Sequence, residues 1–170
     1  MPLNPRLLQP CSVAVVGASD DTSKTRGKIL RCLKEAGFAG AIYPVNPGGY
    51  AQIQGLRAYA TLAELPEVPD LLLIGIPGAG VPALLEDAAA RGCAAAVVFS
   101  SDVDPAAMAR AVQAARARGM HVLGPNTEGF FLPKAGLAAT FAHVVEECTA
   151  HPPPPRRAKR PVAVVSQSGG

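Results

Sequence analysis

Short apolar runs alternate with amphipathic stretches from Ser12 to Leu123. Ser12–Val16 is a continuous apolar run closed by Gly17, which predicts a buried strand. A helix follows from about Lys24 to Ala36, with Ile29, Leu33 and Ala36 on one stripe and Gly37 as its stop. Ala41–Val45 reads as a second strand, ended by the turn cluster Asn46-Pro47-Gly48-Gly49. Thr61 then caps a short helix, Leu62–Leu65. Leu71–Ile76 is a third strand, aliphatic on both faces, and Pro77-Gly78 closes it. Val81, Leu84, Leu85 and Ala88 repeat at the spacing of a core-facing helix stripe. Ala94–Phe99 is a fourth strand, stopped by Ser100-Ser101-Asp102. Asp104-Pro105 is an N-cap followed by proline at the first helical position, and Met108, Ala111, Val112 and Ala115 form that helix's stripe. His121–Leu123 is the fifth strand, ended by Gly124-Pro125-Asn126. From Phe130 to His151 periodicity is weak, and a loop or extended arm is expected.

Strand–helix alternation with short apolar strands predicts an α/β fold, a parallel sheet covered on both faces. Right-handed crossovers then make it doubly wound. Every strand ends in a turn of Gly, Pro, Ser or Asn at its carboxyl edge, the edge where open α/β sheets bind ligands.

Composition fits this picture: the 170 residues are 49% hydrophobic and 17% charged, as in a globular chain. No apolar run reaches the roughly 20 residues that span a bilayer. The first residues, MPLNPRLLQPC, lack a signal-type apolar core, so a cytoplasmic, membrane-free protein is expected. Cys11, Cys32, Cys93 and Cys148 form no C-x-x-C pair and cluster with none of His121, His143 and His151, so no metal is expected. The formal charge is +3, yet Arg156, Arg157, Lys159 and Arg160 supply four of the 16 basic residues. The body is therefore near neutral, which argues against nucleic acid as a partner. That basic run follows the polyproline stretch Pro152–Pro155 and reads as a solvated linker, with a localisation signal or an anion patch as the other readings.

VAVVGAS at Val13–Ser19 returns as VAVVSQSGG at Val162–Gly170. Each is an apolar strand running into a turn of small residues, the arrangement that offers backbone N–H groups to phosphates. A dinucleotide site would also need G-x-G-x-x-G and an acid at the end of the second strand. The turn instead reads Gly17-Ala18-Ser19-Asp20-Asp21, and the second strand ends at Val45-Asn46-Pro47. The turn does offer Ser19, and Lys24, Arg26 and Lys28 stand near the helix start, where they can meet anionic oxygens or form a solvated first turn.

VAVVGAS, GKILRCLKEAGFAGAIYPVNP, IGIPGAG, GPNTEGF and VAVVSQSGG occur in an order that resembles the NDP-forming acyl-CoA synthetases. Those are the ADP-forming acetate–CoA ligases and the related succinyl-CoA synthetase α subunit. The resemblance implies a Rossmann-like CoA-binding domain over residues 1–150, a linker over 151–160, and the start of a second, flavodoxin-like ligase domain over 161–170. It implies coenzyme A over the first turn, at Gly17, Ala18 and Ser19. The turn after the second strand matches Val45, Asn46 and Pro47, and the pantetheine side matches Ile76, Pro77 and Gly78. Ser100 and Ser101 match the fourth turn, and Asn126 falls in the GPN motif. A ribose 3′-phosphate on CoA accounts for the absent acid after the second strand. Ser166, Ser168 and Gly169 match a phosphate-binding turn at a helix start in the second domain.

Thr127 stands where the family usually has cysteine, so either the thiol is dispensable here or a different acyl group is accepted. The family's phosphorylated histidine lies in the second domain, and no histidine of this chain is assigned that role. The reaction implied for the parent joins an acid to CoA at the expense of a nucleoside triphosphate, through acyl phosphate and phosphohistidine. This chain by itself is expected to bind CoA or acyl-CoA without turnover. Implied partners are the remaining ligase domains or an ATP-grasp subunit, with a homo-oligomer also open. Two other readings stand beside this one: a CoA- or acyl-CoA-sensing regulatory domain of a fusion such as an acyltransferase, and an NAD(P)-binding redox sensor.

Overall fold

The computed structural model describes residues 4–143 and Val145. Strand β1 (Ser12–Val16) is followed by helix α1 (Thr25–Glu35) and strand β2 (Ala41–Val45). A small antiparallel hairpin, β3 (Gln52–Ile53) and β4 (Leu56–Arg57), precedes β5 (Leu71–Ile74). Helix α2 (Val81–Arg91), β6 (Ala95–Val98), α3 (Pro105–Ala117) and β7 (His121–Leu123) complete the alternation. A second hairpin, β8 (Gly129–Leu132) and β9 (Leu137–Thr140), ends the described chain.

The five main strands form one parallel sheet in the order β2-β1-β5-β6-β7. Its order reverses between β1 and β5, so the sheet is Rossmann-like and doubly wound with a switch point there. The two-residue pleat divides the core. Val13 and Val15 of β1, Leu71 and Leu73 of β5, and Ala95 and Val97 of β6 face Ile29, Leu30 and Leu33 of α1. Ala14, Val16, Leu72, Ile74, Ala96 and Val98 face Val81, Leu85 and Ala88 of α2 and Met108, Ala111 and Ala115 of α3. Aliphatic side chains on both faces explain why these strands read as unbroken apolar runs.

Element boundaries shift in ways the backbone explains. Lys24 is the N-cap of α1 and lies outside it, with extended φ and ψ. The third and fourth strands stop at Ile74 and Val98, short of Ile76 and Phe99. Thr61 precedes a 3₁₀ turn, Leu62–Glu64, without a side-chain bond to a backbone amide of that turn. Asp104 caps α3 as expected, its carboxylate accepting the Ala107 N–H at 2.7 Å.

Of the loop or extended arm expected over Phe130–His151, the part up to Thr140 is instead a packed hairpin, and residues 144 and 146–151 lie outside the described residues. Leu137, Ala138 and Ala139 of β9 are fully buried, and Leu137 and Ala139 join the α1 side of the core. On the outer side of α1, Cys32 packs with Ala138 and Val145. Helix α1 is thus enclosed between sheet and hairpin. Both faces of β9 are apolar, so no alternation marked it as a strand. The linker at 151–160 and the second strand–turn, with Ser166, Ser168 and Gly169, lie outside the described residues.

Candidate functional site

A cleft of about 590 Å³ opens at the switch point. Ser23, Lys24, Thr25 and Arg26, leading into α1, form one wall; Gly75, Ile76 and Pro77 after β5, with Phe99, Ser100, Ser101 and Asp102 after β6, form the rest. The crossover sequence places the positive end of α1 against the carboxyl edge. Of the residues singled out in the sequence, the cleft gathers Lys24, Arg26, Ile76, Pro77, Ser100 and Ser101.

The others hold the turns in place around it. Gly17 has φ +88, and a Cβ there would lie 2.5 Å from the Gly75 carbonyl oxygen, so only glycine lets the two turns meet. Its N–H donates to the Val45 carbonyl at 2.8 Å. Ala18 is fully buried. Asn46 Nδ2 donates to the Ala18 carbonyl at 2.8 Å, and Asn46 Oδ1 accepts the Gly48 N–H at 2.9 Å. Exposed Pro47 follows. The Ser19 hydroxyl accepts the Asp21 N–H at 3.2 Å. Gly78 is buried and donates its N–H to Asp102 Oδ1 at 3.1 Å. Ser100 Oγ donates to the Ile76 carbonyl at 2.5 Å, and the Asn126 N–H donates to the Ser100 carbonyl at 2.9 Å. Lys28 is half-buried, one turn further along α1, outside the cleft lining.

Charge is distributed unevenly across the opening. Lys24 Nζ lies 3.0 Å from Asp21 Oδ2. The Asp21 carboxylate accepts from the Ser23 hydroxyl, and this bond with the Lys24 contact holds its pKa down at about 2. Arg26 has no such carboxylate partner among the described residues and is exposed. Asp102, on the opposite wall, is the acid among the lining residues. The α1 wall therefore suits anionic oxygens, and the opposite wall combines Ile76, Pro77 and Phe99 with a hydrogen-bond acceptor.

Ser23, Thr25, Gly75, Phe99 and Asp102 line the cleft without having stood out as ligand residues in the sequence. Gln54 was missed as well. Its side-chain amide donates to the carbonyls of Ser19 and Gly27, each at 2.8 Å. No local motif announces such a contact; it exists because the β3–β4 hairpin folds back onto the first turn.

A doubly wound sheet with an amphipathic cleft at its switch point defines a nucleotide-type binding domain. The chain belongs to the CoA binding domain family, which matches residues 11–133. It is 34% identical, over 96% of its length, to the α subunit of an ADP-forming acetate–CoA ligase I of Pyrococcus furiosus. It is 35% identical, again over 96% of its length, to a trans-feruloyl-CoA synthase of an unknown prokaryotic organism. The chain spans 35% and 23% of the length of those two relatives. Among solved structures it resembles the dinucleotide-forming acetyl-coenzyme A synthetase 1 of Candidatus Korarchaeum cryptofilum, in complex with phosphate and ADP. The TM-score is 0.75 at 37% identity, covering 81% of this chain and 30% of that one. Among the described residues no helix is long and apolar enough to cross a membrane, and no cluster of three or more His, Cys, Asp or Glu could hold a metal.

Proposed function

We propose that the cleft between the start of α1 and the turns after β5 and β6 binds coenzyme A, and that the chain is the CoA-binding part of an NDP-forming acyl-CoA ligase. The observation that carries this reading is the two-sided lining of the cleft in a chain of the CoA binding domain family. CoA has the matching division: a charged diphosphate at one end and a pantetheine arm with two amides at the other. Arg26 and Lys24, with the hydroxyls of Ser23 and Thr25, are suited to the phosphate oxygens. Ile76, Pro77 and Phe99 would pack along the arm, and Asp102 or the Ser101 hydroxyl would accept from its amide N–H groups. The β2 turn at Asn46 and Pro47 brings no carboxylate, which leaves that side compatible with a ribose phosphate.

When bound, CoA supplies the thiol that takes the acyl group. The chain's own residues bind it, orient it along the carboxyl edge and keep the turns fixed through the Asn46, Ser100 and Asp102 hydrogen bonds. The ligation itself, acid and CoA joined with cleavage of a nucleoside triphosphate, belongs in this proposal to the larger assembly with its further ligase domains or an ATP-grasp subunit.

Titration calorimetry of the 170-residue chain with CoA and with NADH tests the binding reading. Saturable heat with CoA and none with NADH is expected. Tight NADH binding with no CoA heat would overturn it.

A further inference from the structure

Residues Gln54 and Gly55 form the two-residue tip between β3 and β4, with φ +50 and +78. Tight hairpin turns with positive φ at both central residues favour Asn, Asp or Gly at the first of them. Gln is an uncommon choice there, since its longer side chain gains nothing locally. What it gains is reach. The carboxamide donates both hydrogens across the molecule, to the carbonyls of Ser19 and Gly27. The backbone of the same residue is also engaged: its N–H donates to Asp20 Oδ1 at 2.5 Å, and Lys34 Nζ donates to its carbonyl at 2.5 Å.

We propose that Gln54 is a positioning residue that holds the segment Ser19–Gly27 in its ligand-binding shape, by occupying the carbonyls at both ends of that segment. The proposal rests on the CoA reading of the cleft. Lys24 and Arg26 stand inside the segment, so its two anchored ends set where the cations are presented. A carbonyl held by an amide proton cannot turn toward phosphate oxygens, and because the peptide unit is planar, fixing the Ser19 carbonyl also fixes the Asp20 N–H on the opposite side. The Asp20 carboxylate is likewise drawn to the hairpin and away from competition with the ligand for the cations. The cationic wall runs from the loop after β1 into the first turn of α1, and ordering that loop at the moment of binding would weaken affinity, which an anchor between hairpin and loop avoids.

Gln54→Asn separates the two roles of this position. Asparagine suits the turn, but it is one methylene too short to bridge both carbonyls. Gln54→Glu keeps the length and removes the donors. For both variants the full 170-residue chain is titrated with CoA and with pantetheine, which lacks the diphosphate, and thermal unfolding is recorded alongside. The expected result is about tenfold weaker CoA binding with pantetheine binding unchanged, while both variants still unfold cooperatively, at a temperature lowered by the lost hydrogen bonds. Unchanged CoA affinity, or equal losses for CoA and pantetheine, would overturn the assignment while the CoA reading stands. A parent chain that binds no CoA overturns both.

Discussion

Asn46 reaches from the end of β2 to the Ala18 carbonyl, 2.8 Å away, and so joins the first two turns of the carboxyl edge. The same side chain turns its oxygen back to the Gly48 N–H. One asparagine thus fixes its own turn and the turn expected to face the ligand. Asn46→Ala strips the partner from the carbonyl of a fully buried residue, a loss of about 1–3 kcal/mol. Urea unfolding should show this as a lowered midpoint with unchanged slope. Asn46→Asp keeps the bond to Gly48 but sets a carboxylate oxygen against the Ala18 carbonyl, and it should destabilise at least as much.

Arg26 and Lys24 are both cationic and both line the cleft, yet they are not equivalent. Lys24 is already engaged by Asp21, and Arg26 presents a guanidinium without a carboxylate partner among the described residues. Arg26→Ala should weaken CoA binding by about tenfold, and Lys24→Ala by clearly less. Calorimetry at two salt concentrations checks the electrostatic origin: the difference should shrink as salt rises. Equal losses for the two variants would contradict the asymmetry.

Cys93 is buried, and desolvation pushes its thiol from 9.0 up to about 11. Cys11 is exposed. Brief alkylation of the native chain near pH 8, followed by peptide mapping, should therefore modify Cys11 and spare Cys93. The fold favours the neutral thiol, so this contribution to stability is complete below pH 9 and is lost as the pH rises toward 11. Tyr43, raised from 10.0 to about 12 by burial and its bond to Glu67, acts in the same direction over the next interval. Urea midpoints measured from pH 8 to 11 should fall, and Cys93→Ala should flatten the first part of the decline.

Leu137 is fully buried beneath α1. If the β8–β9 hairpin is integral to the fold, Leu137→Ala should cost about 2–5 kcal/mol, as for other large-to-small changes in a packed core. A loss near zero would mean that the hairpin merely rests on the surface. The measurement is again urea unfolding.

The parallel sheet was legible because β1, β5 and β6 bury both faces and are bounded by Gly, Pro and Ser turns. The N-cap at Asp104 was legible because capping is a local event. The β8–β9 hairpin was not, since Leu-Ala-Ala-Thr carries no period and its burial depends on a helix a hundred residues earlier. Within the cleft, Lys24 and Arg26 could be read from their place beside a glycine turn. Asp102 read only as part of a strand-ending turn, and Gln54 had no local signature. Contacts made across the fold leave no trace in spacing.

The enclosure of α1 has a mechanical consequence. Ile29, Leu30 and Leu33 press on the sheet, Cys32 on the far side meets Ala138, and a Cβ at Gly136 would strike the Gly37 carbonyl at 2.6 Å. A helix packed on both sides is held more firmly than one that lies on a sheet alone. The wall carrying Lys24 and Arg26 is therefore a firmly held jaw of the cleft. The opposite jaw, the turns at Ile76–Gly78 and Ser100–Asp102, is tied together by the Ser100–Ile76 and Gly78–Asp102 bonds, so a displacement of one turn would be carried to the other.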